Sequence, residues 1–119
     1  MRLIIAGNRT FTDYRAFCPH VDRFVSALSE KPTIVSGCAT GVDSLAIRYA
    51  QEHGLQLVRV PADWARHGRA AGPIRNRQMA GQADALLAFW DGKSAGTRSM
   101  ITIARELGLR VTVISEVFH

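Results

Sequence analysis

Two short glycine loops carry the residue types best suited to binding an anion. The first, 37–41, reads Gly-Cys-Ala-Thr-Gly, and the second, 92–96, reads Gly-Lys-Ser-Ala-Gly. Each loop follows a short apolar run and precedes a helix-like run, so free backbone N–H groups and a helix N-terminus are expected to face a phosphate. A third turn, Gly7-Asn8-Arg9, follows the first apolar run. The three loops predict that three strand ends converge on one anionic ligand.

Threonine and aspartate stand three residues apart in two places, a pattern typical of a helix N-terminus. At Thr40 and Asp43 two interpretations stay open. Either Thr40 caps the helix and Asp43 returns the hydrogen bond, or Asp43 also contacts a ribose hydroxyl or orders a water. At Thr10 and Asp13, we interpret Asp13 as a cap rather than a ligand group.

The segment 61–72 lacks sustained periodicity, and we predict an irregular loop with a functional role, because structureless loops of about 12 residues are uncommon. It contains Asp63, Trp64 and His67. Either tryptophan of the chain can stack on a base. Trp90 ends a predicted strand directly before a glycine loop, so we prefer it for the rim of a pocket.

Four arginines, Arg66, Arg69, Arg75 and Arg77, lie close together in the chain. They form either a solvated basic face or part of an anion site. Arg75 and Arg77 belong to the predicted helix that follows the loop, and two residues that far apart on a helix point in different directions. At most one or two of these arginines can therefore reach a ligand from the helix.

The composition indicates one globular domain, 1–119, with enough apolar residues for a core. The chain has 119 residues, a hydrophobic share of 47% and a formal net charge of +5. Arginine supplies 13 of the 15 basic residues. Its planar fork suits phosphate and carboxylate, which points to an anionic partner, although an arginine-rich proteome explains the bias equally well.

The chain lacks the motifs that identify several classes of enzyme. No lysine follows the last glycine of the second loop, and Gly-x-Gly-x-x-Gly is absent, so neither a P-loop NTPase nor an ordinary NAD dehydrogenase is predicted. No Ser/His/Asp order, His-Glu-x-x-His or Cys-x-x-Cys is present, so no motif identifies a catalytic residue, and we predict no metal site and no cofactor. Cys18 and Cys38 are expected to be free buried thiols, and the protein is expected to be cytoplasmic with no membrane partner.

Apolar periodicity predicts strands that alternate with helices along the whole chain. The predicted strands are 2–6, 33–36, 55–60, 85–90 and 110–114, and the predicted helices are 17–28, 42–50, 73–81 and 97–107. This order predicts an α/β fold, a single Rossmann-like three-layer domain with a mostly parallel five-stranded sheet and right-handed crossovers. Ligands of such sheets bind at the carboxyl ends of the strands, near the topological switch point at which the strand order reverses. All three glycine turns fall at this edge of the predicted sheet.

Four stretches of the chain resemble one known family. They are Ser-Gly-Cys-Ala-Thr-Gly-Val-Asp at 36–43, Asp-Trp at 63–64, Ala-Gly-Pro-Ile-Arg-Asn-Arg at 71–77 and Phe-Trp-Asp-Gly-Lys-Ser-Ala-Gly-Thr at 89–97. In this order they resemble the YspA-like family of the SLOG superfamily, which includes DNA-processing protein A and the Lonely Guy phosphoribohydrolases. The third and fourth stretches are specific, whereas the glycine turns alone are not.

The resemblance implies a Rossmann-like sheet that binds nucleotides or nucleotide-derived ligands, including products related to NAD or ADP-ribose. It also implies a place in bacterial or phage conflict or stress systems. Lonely Guy enzymes have Pro-Gly-Gly-x-Gly-Thr-x-x-Glu at the second loop, with a catalytic glutamate. Aligning on Gly96 and Thr97 puts Met100 at that glutamate, so the resemblance does not carry that hydrolytic mechanism to this chain. Asn8 stands where relatives often have serine, and it keeps a hydrogen-bonding side chain.

These observations lead to a binding module for a nucleotide-like small molecule. Backbone amides of 37–41 and of Gly96 and Thr97 are expected to hold phosphate, Arg9 and Arg75 to add charge, and Asn76 and Asp43 to contact ribose or hold the loop. The predicted ligand-binding residues are Gly7, Asn8, Arg9, Ser36, Gly37, Thr40, Gly41, Asp43, Asp63, Trp64, Arg75, Asn76, Trp90, Gly96 and Thr97.

Two alternatives and the oligomeric state stay open. One alternative is a hydrolase acting on a nucleotide, with Asp43 or Asp63 as general base. The other is a binder of single-stranded nucleic acid that uses the arginine-rich loop. The sequence leaves open whether the chain forms a homo-oligomer.

Overall fold

The computed structural model describes residues 1–118, in which strands and helices alternate along most of the chain. The strands are β1 (Arg2–Gly7), β2 (Thr33–Ser36), β3 (Leu57–Arg59), β4 (Ala85–Phe89) and β5 (Arg110–Ile114). The helices are α1 (Tyr14–Ser26), α2 (Val42–Glu52), α3 (Trp64–His67), α4 (Ala71–Ala80) and α5 (Ala95–Glu106), with a 3₁₀ turn at Gly68–Ala70. None of the helices within residues 1–118 combines the length and the apolar character that crossing a membrane needs.

The five strands pair in parallel in the order β3-β2-β1-β4-β5. The chain runs outward from the central β1 through β2 and β3, and then crosses over to β4 and β5. The switch point of this open sheet lies between β1 and β4, where Leu3 pairs with Ala85 and Gly7 with Phe89. The predicted α/β fold is confirmed, and the sheet is parallel throughout.

Apolar side chains fill both faces of the sheet. On one face Leu3 belongs to a buried cluster with Phe17 of α1 and Leu45 of α2. On the other face Ile4 belongs to a cluster with Met79 of α4 and with residues of α5. Because successive residues of β1 point to opposite faces and both faces are covered, this strand is a continuous apolar run. The three layers hold the carboxyl ends of β1, β2 and β4 at one edge.

Capping side chains set the starts of α1 and α5 earlier than periodicity predicts. Asp13 accepts a backbone N–H of the first turn, so α1 begins at Tyr14 instead of 17, and the interpretation of Asp13 as a cap is confirmed. Ser94 Oγ accepts the N–H of Thr97 at 3.4 Å, so α5 begins at Ala95 instead of 97. An apolar repeat does not reveal these first turns, because their residues are largely polar or small.

The segment 61–72 is partly helical, so the prediction of an irregular loop is wrong. Asp63 Oδ1 accepts the N–H of Arg66 at 3.1 Å and caps α3. The 3₁₀ turn then leads directly into α4, which begins two residues before Pro73. A hydrogen bond accepted by one carboxylate stabilises a helix too short to show an apolar repeat. β3 is also shorter than the predicted strand 55–60.

Candidate functional site

A cavity of about 290 Å³, called the main cavity, opens at the carboxyl edge of the sheet beside the end of β1. Its apolar lining comes from Ala6, Met79 and Met100, which are almost completely buried. Its polar lining comes from α2, α4, α5 and the segments around Arg9 and Trp64. The cavity thus lies at the switch point, where ligands of open α/β sheets usually bind.

The N-terminus of α5 forms one wall of the main cavity, through Ser94, Ala95, Gly96 and Thr97. Within residues 1–118, the N–H groups of Ala95 and Gly96 have no hydrogen-bond acceptor, whereas that of Thr97 donates to Ser94. A Cβ atom at Gly96 would meet no heavy atom within 4 Å. The first turn contains no acidic residue. The positive end of the helix dipole is therefore open to an anion in the cavity.

Asp43, in the first turn of α2, contributes a buried carboxylate to the same cavity. Its Oδ2 accepts the N–H of Ala39 at 3.2 Å. Burial raises the pKa of Asp43 from 3.8 to about 6, and the Ala39 hydrogen bond and the charges of Arg75 and Arg9 offset only part of this effect. A carboxylate that titrates near neutral pH can accept a hydrogen bond from a hydroxyl or hold a proton.

The predicted cap at Thr40 is wrong. Gly41 occupies the N-cap position of α2 without a side-chain hydrogen bond, and Thr40 is exposed. Gly41 has a φ of +73°, and a Cβ atom there would overlap the carbonyl groups of Asn8 and Arg9. The close approach of two loops therefore requires glycine at this position. Gly41 lines neither the main cavity nor the second cavity described below.

Asn8 and Ser36 hold the loops in place without lining either cavity. The carbonyl oxygen of Asn8 accepts the N–H of Val42 at 3.2 Å, and its Oδ1 accepts the N–H of Asp91 at 3.3 Å. Ser36 Oγ donates to the carbonyl oxygen of Asp43 at 3.1 Å. Both side chains are buried, so their hydrogen bonds join the three glycine loops into one rigid edge.

Arg75 of α4 reaches across to the first glycine loop and lines the main cavity. Its Nη1 donates to the carbonyl oxygen of Gly37 at 2.6 Å, and its Nε donates to Oδ1 of Asn76 at 3.0 Å. A Cβ atom at residue 37 would lie 2.5 Å from that Nη1, so a side chain there would displace the guanidinium group. Burial lowers the pKa of Arg75, and the nearby Asp43 carboxylate opposes this effect. Arg75 therefore positions the loop as well as presenting charge to the cavity.

A second cavity of about 340 Å³ adjoins the main cavity beside the ends of β2 and β3. Arg9, Ala39, Trp64 and Arg75 line both cavities. The guanidinium carbon of Arg9 lies 5.6 Å from the ring centroid of Trp64. The Trp64 residue is 50% exposed. Its ring is therefore held by a cation on one side and is available to a ligand.

Trp90 and Asp63 lie outside both cavities. Trp90 Nε1 donates to the carbonyl oxygen of Ser94 at 3.0 Å, and its ring packs against the core between the sheet and α4 and α5. The preference for Trp90 at the pocket rim is therefore corrected to Trp64. Asp63 is engaged as the cap of α3. Gly7 lines the main cavity, where a Cβ atom would overlap the carbonyl group of Phe89.

Three further polar residues, Arg69, Ser94 and Ser99, line the main cavity and are missing from the predicted set. Ser94 begins a Ser-x-x-Thr pattern before an apolar repeat, which is a usable signal for a helix cap. Arg69 carries no signal that separates it from exposed Arg66. Arg77 points away from the main cavity as predicted, with its Nη2 3.8 Å from Glu106. No group of three His, Cys, Asp or Glu within residues 1–118 is placed to hold a metal ion.

Comparison with known proteins shows what the chain is similar to. The family model described as YAcAr, the YspA, cpYpsA-related SLOG family, matches residues 1–67. The Gene 61 protein of Mycobacterium phage D29 is 34% identical over 119 residues, and the alignment covers 92% of this chain and 93% of that protein. No solved structure matches. The family match spans β1 to α3 and includes Arg9 and the first turn of α2, which carries Asp43.

Proposed function

Because the chain belongs to the YspA, cpYpsA-related SLOG family, we propose that it binds a nucleotide or a nucleotide-derived ligand in the main cavity. One observation carries the proposal. The open N-terminus of α5 faces the same cavity as the side chains of Arg9, Arg69, Arg75 and Asp43. Such a site offers hydrogen-bond donors and positive charge to phosphate, and an acceptor to the hydroxyl groups of a sugar.

The phosphate group belongs at the N-terminus of α5. The N–H groups of Ala95 and Gly96 are unengaged within residues 1–118, and the first turn has no carboxylate. The first glycine loop suits phosphate less well, because Asp43 already accepts the N–H of Ala39 and would repel an anion when ionised. The two glycine loops therefore have different roles, although the sequence presents both as phosphate loops.

The sugar and the base belong on the other side of the cavity. The Asp43 carboxylate can accept hydrogen bonds from ribose hydroxyls. Asn76 is 5% exposed, and its Oδ1 already accepts from Arg75, which leaves its amide N–H groups as donors. The exposed ring of Trp64 offers a stacking surface to a base. This arrangement supports a ligand with phosphate, sugar and ring components.

Thermal denaturation with and without ligand tests the proposal. Nucleoside mono- and diphosphates are expected to raise the melting temperature, because a ligand that binds only the folded state stabilises it. The corresponding unphosphorylated nucleosides should raise it much less. Equal shifts for phosphorylated and unphosphorylated compounds would contradict a phosphate-centred site.

A charge placed on α5 tests where the phosphate lies. Gly96→Asp adds a carboxylate in open space at the helix N-terminus, where the fold tolerates it and the dipole favours it. Thr102→Asp adds the same charge to an exposed position of α5 that does not line the main cavity. We expect Gly96→Asp to abolish the shift and Thr102→Asp to retain most of it. Equal losses would instead indicate general electrostatic attraction.

A hydrolase acting on a nucleotide is the second candidate function. The observation in its favour is Asp43, whose raised pKa of about 6 suits a general base near neutral pH. Met100 lines the cavity at the position that aligns with the catalytic glutamate of Lonely Guy enzymes, so Asp43 would have to act without that residue. Chromatography of nucleotides or NAD after incubation tests turnover. Product that forms with the wild type, but not with Asp43→Asn, would favour this candidate.

A further inference from the structure

A groove beside β5, on the face of the sheet that α1 and α2 cover, lies apart from the candidate site. It has a volume of about 260 Å³ and runs between α1 and the strands β4 and β5. None of its lining residues lines the main cavity or the second cavity. We propose that this groove, called the β5 groove, is a separate binding site for a compact apolar molecule with one carboxylate, such as an aromatic or medium-chain acid.

The order of the strands explains why the β5 groove exists. The buried residues Phe17 and Val21 of α1 pack in the same cluster as Leu87 of β4. β5 lies one strand further out, at the end of the sheet, and the helix that it contacts is α5 on the opposite face. On the α1 face, Thr112 and Ile114 of β5 are therefore only half-buried, and both line the groove.

The walls of the β5 groove are apolar. Phe24, Ala27 and Leu28 form its helix side, and Leu87 and Ile114 form its sheet side. An apolar ligand would remove the exposed parts of these side chains from water, and this burial is the main source of affinity that the groove offers. The volume of about 260 Å³ lies just below the usual range for drug-sized ligands, so the groove suits a compact molecule.

Two arginines make the β5 groove positively charged. Arg23 and Arg110 line it, both are exposed, and its lining contains no acidic residue. Within residues 1–118, neither guanidinium group forms an ion pair. The guanidinium carbon of Arg110 lies 5.6 Å from the ring centroid of Phe24, so this cation is held beside the apolar wall. A carboxylate can bind these cations while its apolar body occupies the groove.

His20 adds a hydrogen-bonding group to the lining of the β5 groove. Its Nδ1 is buried and has no hydrogen-bond partner within residues 1–118. Oε1 of Glu116 lies 3.7 Å from this nitrogen, which is too far for a hydrogen bond, and Glu116 does not line the groove. Because an unpaired buried polar atom costs free energy, a polar ligand atom near the imidazole would add to the affinity.

A second copy of the chain is the competing occupant, because β5 is an edge strand with unpaired backbone groups. Each copy carries a formal net charge of +5, so pairing along β5 would bring two positively charged molecules together. A small acid would instead neutralise part of the charge at the groove. Charge complementarity therefore favours the acid over a second copy.

Matched acids and amides test the proposal in an NMR titration of the labelled protein. The probes are phenylacetate with phenylacetamide and hexanoate with hexanamide, and the members of each pair differ in charge but hardly in shape. At millimolar concentration, at least one acid is expected to shift the backbone amide signals of Leu28 and Thr112, which line the groove, and not those of Gly96 and Thr97. Its amide should bind at least about fivefold more weakly, because it lacks the charge.

Removing the two arginines tests the source of this preference. Arg23→Gln combined with Arg110→Gln should lower the affinity of the acid to that of its amide and change the affinity of the amide by less than about twofold. Arg15→Gln combined with Arg105→Gln is the control, because it removes two exposed charges of α1 and α5 that do not line the groove. Equal losses in the two double variants would indicate general attraction to a basic protein and overturn the proposal.

Filling the β5 groove distinguishes a small acid from a second copy. Ala27 is exposed and lines the groove, so Ala27→Trp should abolish the shifts caused by the acid, and circular dichroism checks that the variant is folded. A dimer in sedimentation analysis that Ala27→Trp dissociates and the acids do not would show that a second copy occupies the groove, which would overturn the proposal. Unchanged signals with both acids would also overturn it, without bearing on nucleotide binding in the main cavity.

Discussion

Asp43→Asn is expected to stabilise the protein above pH 6. Burial raises the pKa of Asp43 from 3.8 to about 6, so the folded state disfavours the ionised form relative to the unfolded chain. Because the folded pKa is the higher one, the folded state binds more protons between these values, and the free energy of unfolding falls as pH rises from about 4 to 6. The full pKa difference corresponds to about 3 kcal/mol above pH 6. Asparagine keeps the shape and the acceptor for the N–H of Ala39 but carries no charge.

Urea denaturation of the wild type and of Asp43→Asn at pH 4 and at pH 7.5 measures this effect. The two proteins should differ little at pH 4, where the carboxyl group is largely protonated in the folded state. At pH 7.5 the variant should be more stable by about 3 kcal/mol, which corresponds to a melting temperature about 10 °C higher. The difference between the free energies of unfolding of the two proteins cancels the contributions of all other titrating groups.

A lower stability of Asp43→Asn at pH 7.5 would refute the reasoning. It would mean that the interactions of the ionised carboxylate with α2 and with the charges of Arg75 and Arg9 contribute more stability than the burial of its charge removes. A stability difference that does not depend on pH would equally contradict a raised pKa. If the expected result is found, Asp43 lowers the stability of the free protein, as is common for residues retained for a function.

Three further predictions concern stability and binding. Arg75→Ala should lower the free energy of unfolding by about 1–3 kcal/mol, because it leaves the buried carbonyl oxygen of Gly37 without its donor and removes a positive charge near the buried Asp43 carboxylate. Arg75→Lys should restore part of this loss, and Arg66→Ala, at an exposed position, should change the free energy of unfolding by less than about 0.5 kcal/mol. A similar loss at both positions in urea denaturation would contradict this prediction. Gly41→Ala should lower the free energy of unfolding by more than about 2 kcal/mol, because the backbone at this position is left-handed and the site is crowded. Gly96→Ala should leave the free energy of unfolding nearly unchanged. Thermal denaturation of the two variants checks this contrast. Trp64→Ala should weaken nucleoside phosphate binding by about tenfold in titration calorimetry while the protein stays folded, because the residue is half-exposed and lines both cavities.

Much of the fold could be predicted from the sequence. Apolar runs that end at glycine, alternating with helical repeats, specify strands and helices through local periodicity, and the right-handed crossover then places the strand ends at one edge. Residues that follow those ends, such as Arg9, Asp43 and Thr97, consequently line the main cavity as their positions in the chain indicate. Helix starts were less predictable, because caps such as Asp63 stabilise short polar turns that have no apolar repeat.

The roles of residues that look alike in the sequence were decided only by tertiary structure. A side chain at Gly37 would meet side-chain groups distant in the chain, and one at Gly41 would meet distant backbone groups, whereas Gly96 borders open space. Trp90 packs against the core and donates to Ser94, whereas Trp64 lines both cavities, although each lies within a few residues after a strand and at or near the start of the next helix. Composition and spacing determine which residues arrive at the edge of the sheet. Whether a group there faces a ligand or a neighbouring loop depends on contacts across the fold, which local sequence does not encode.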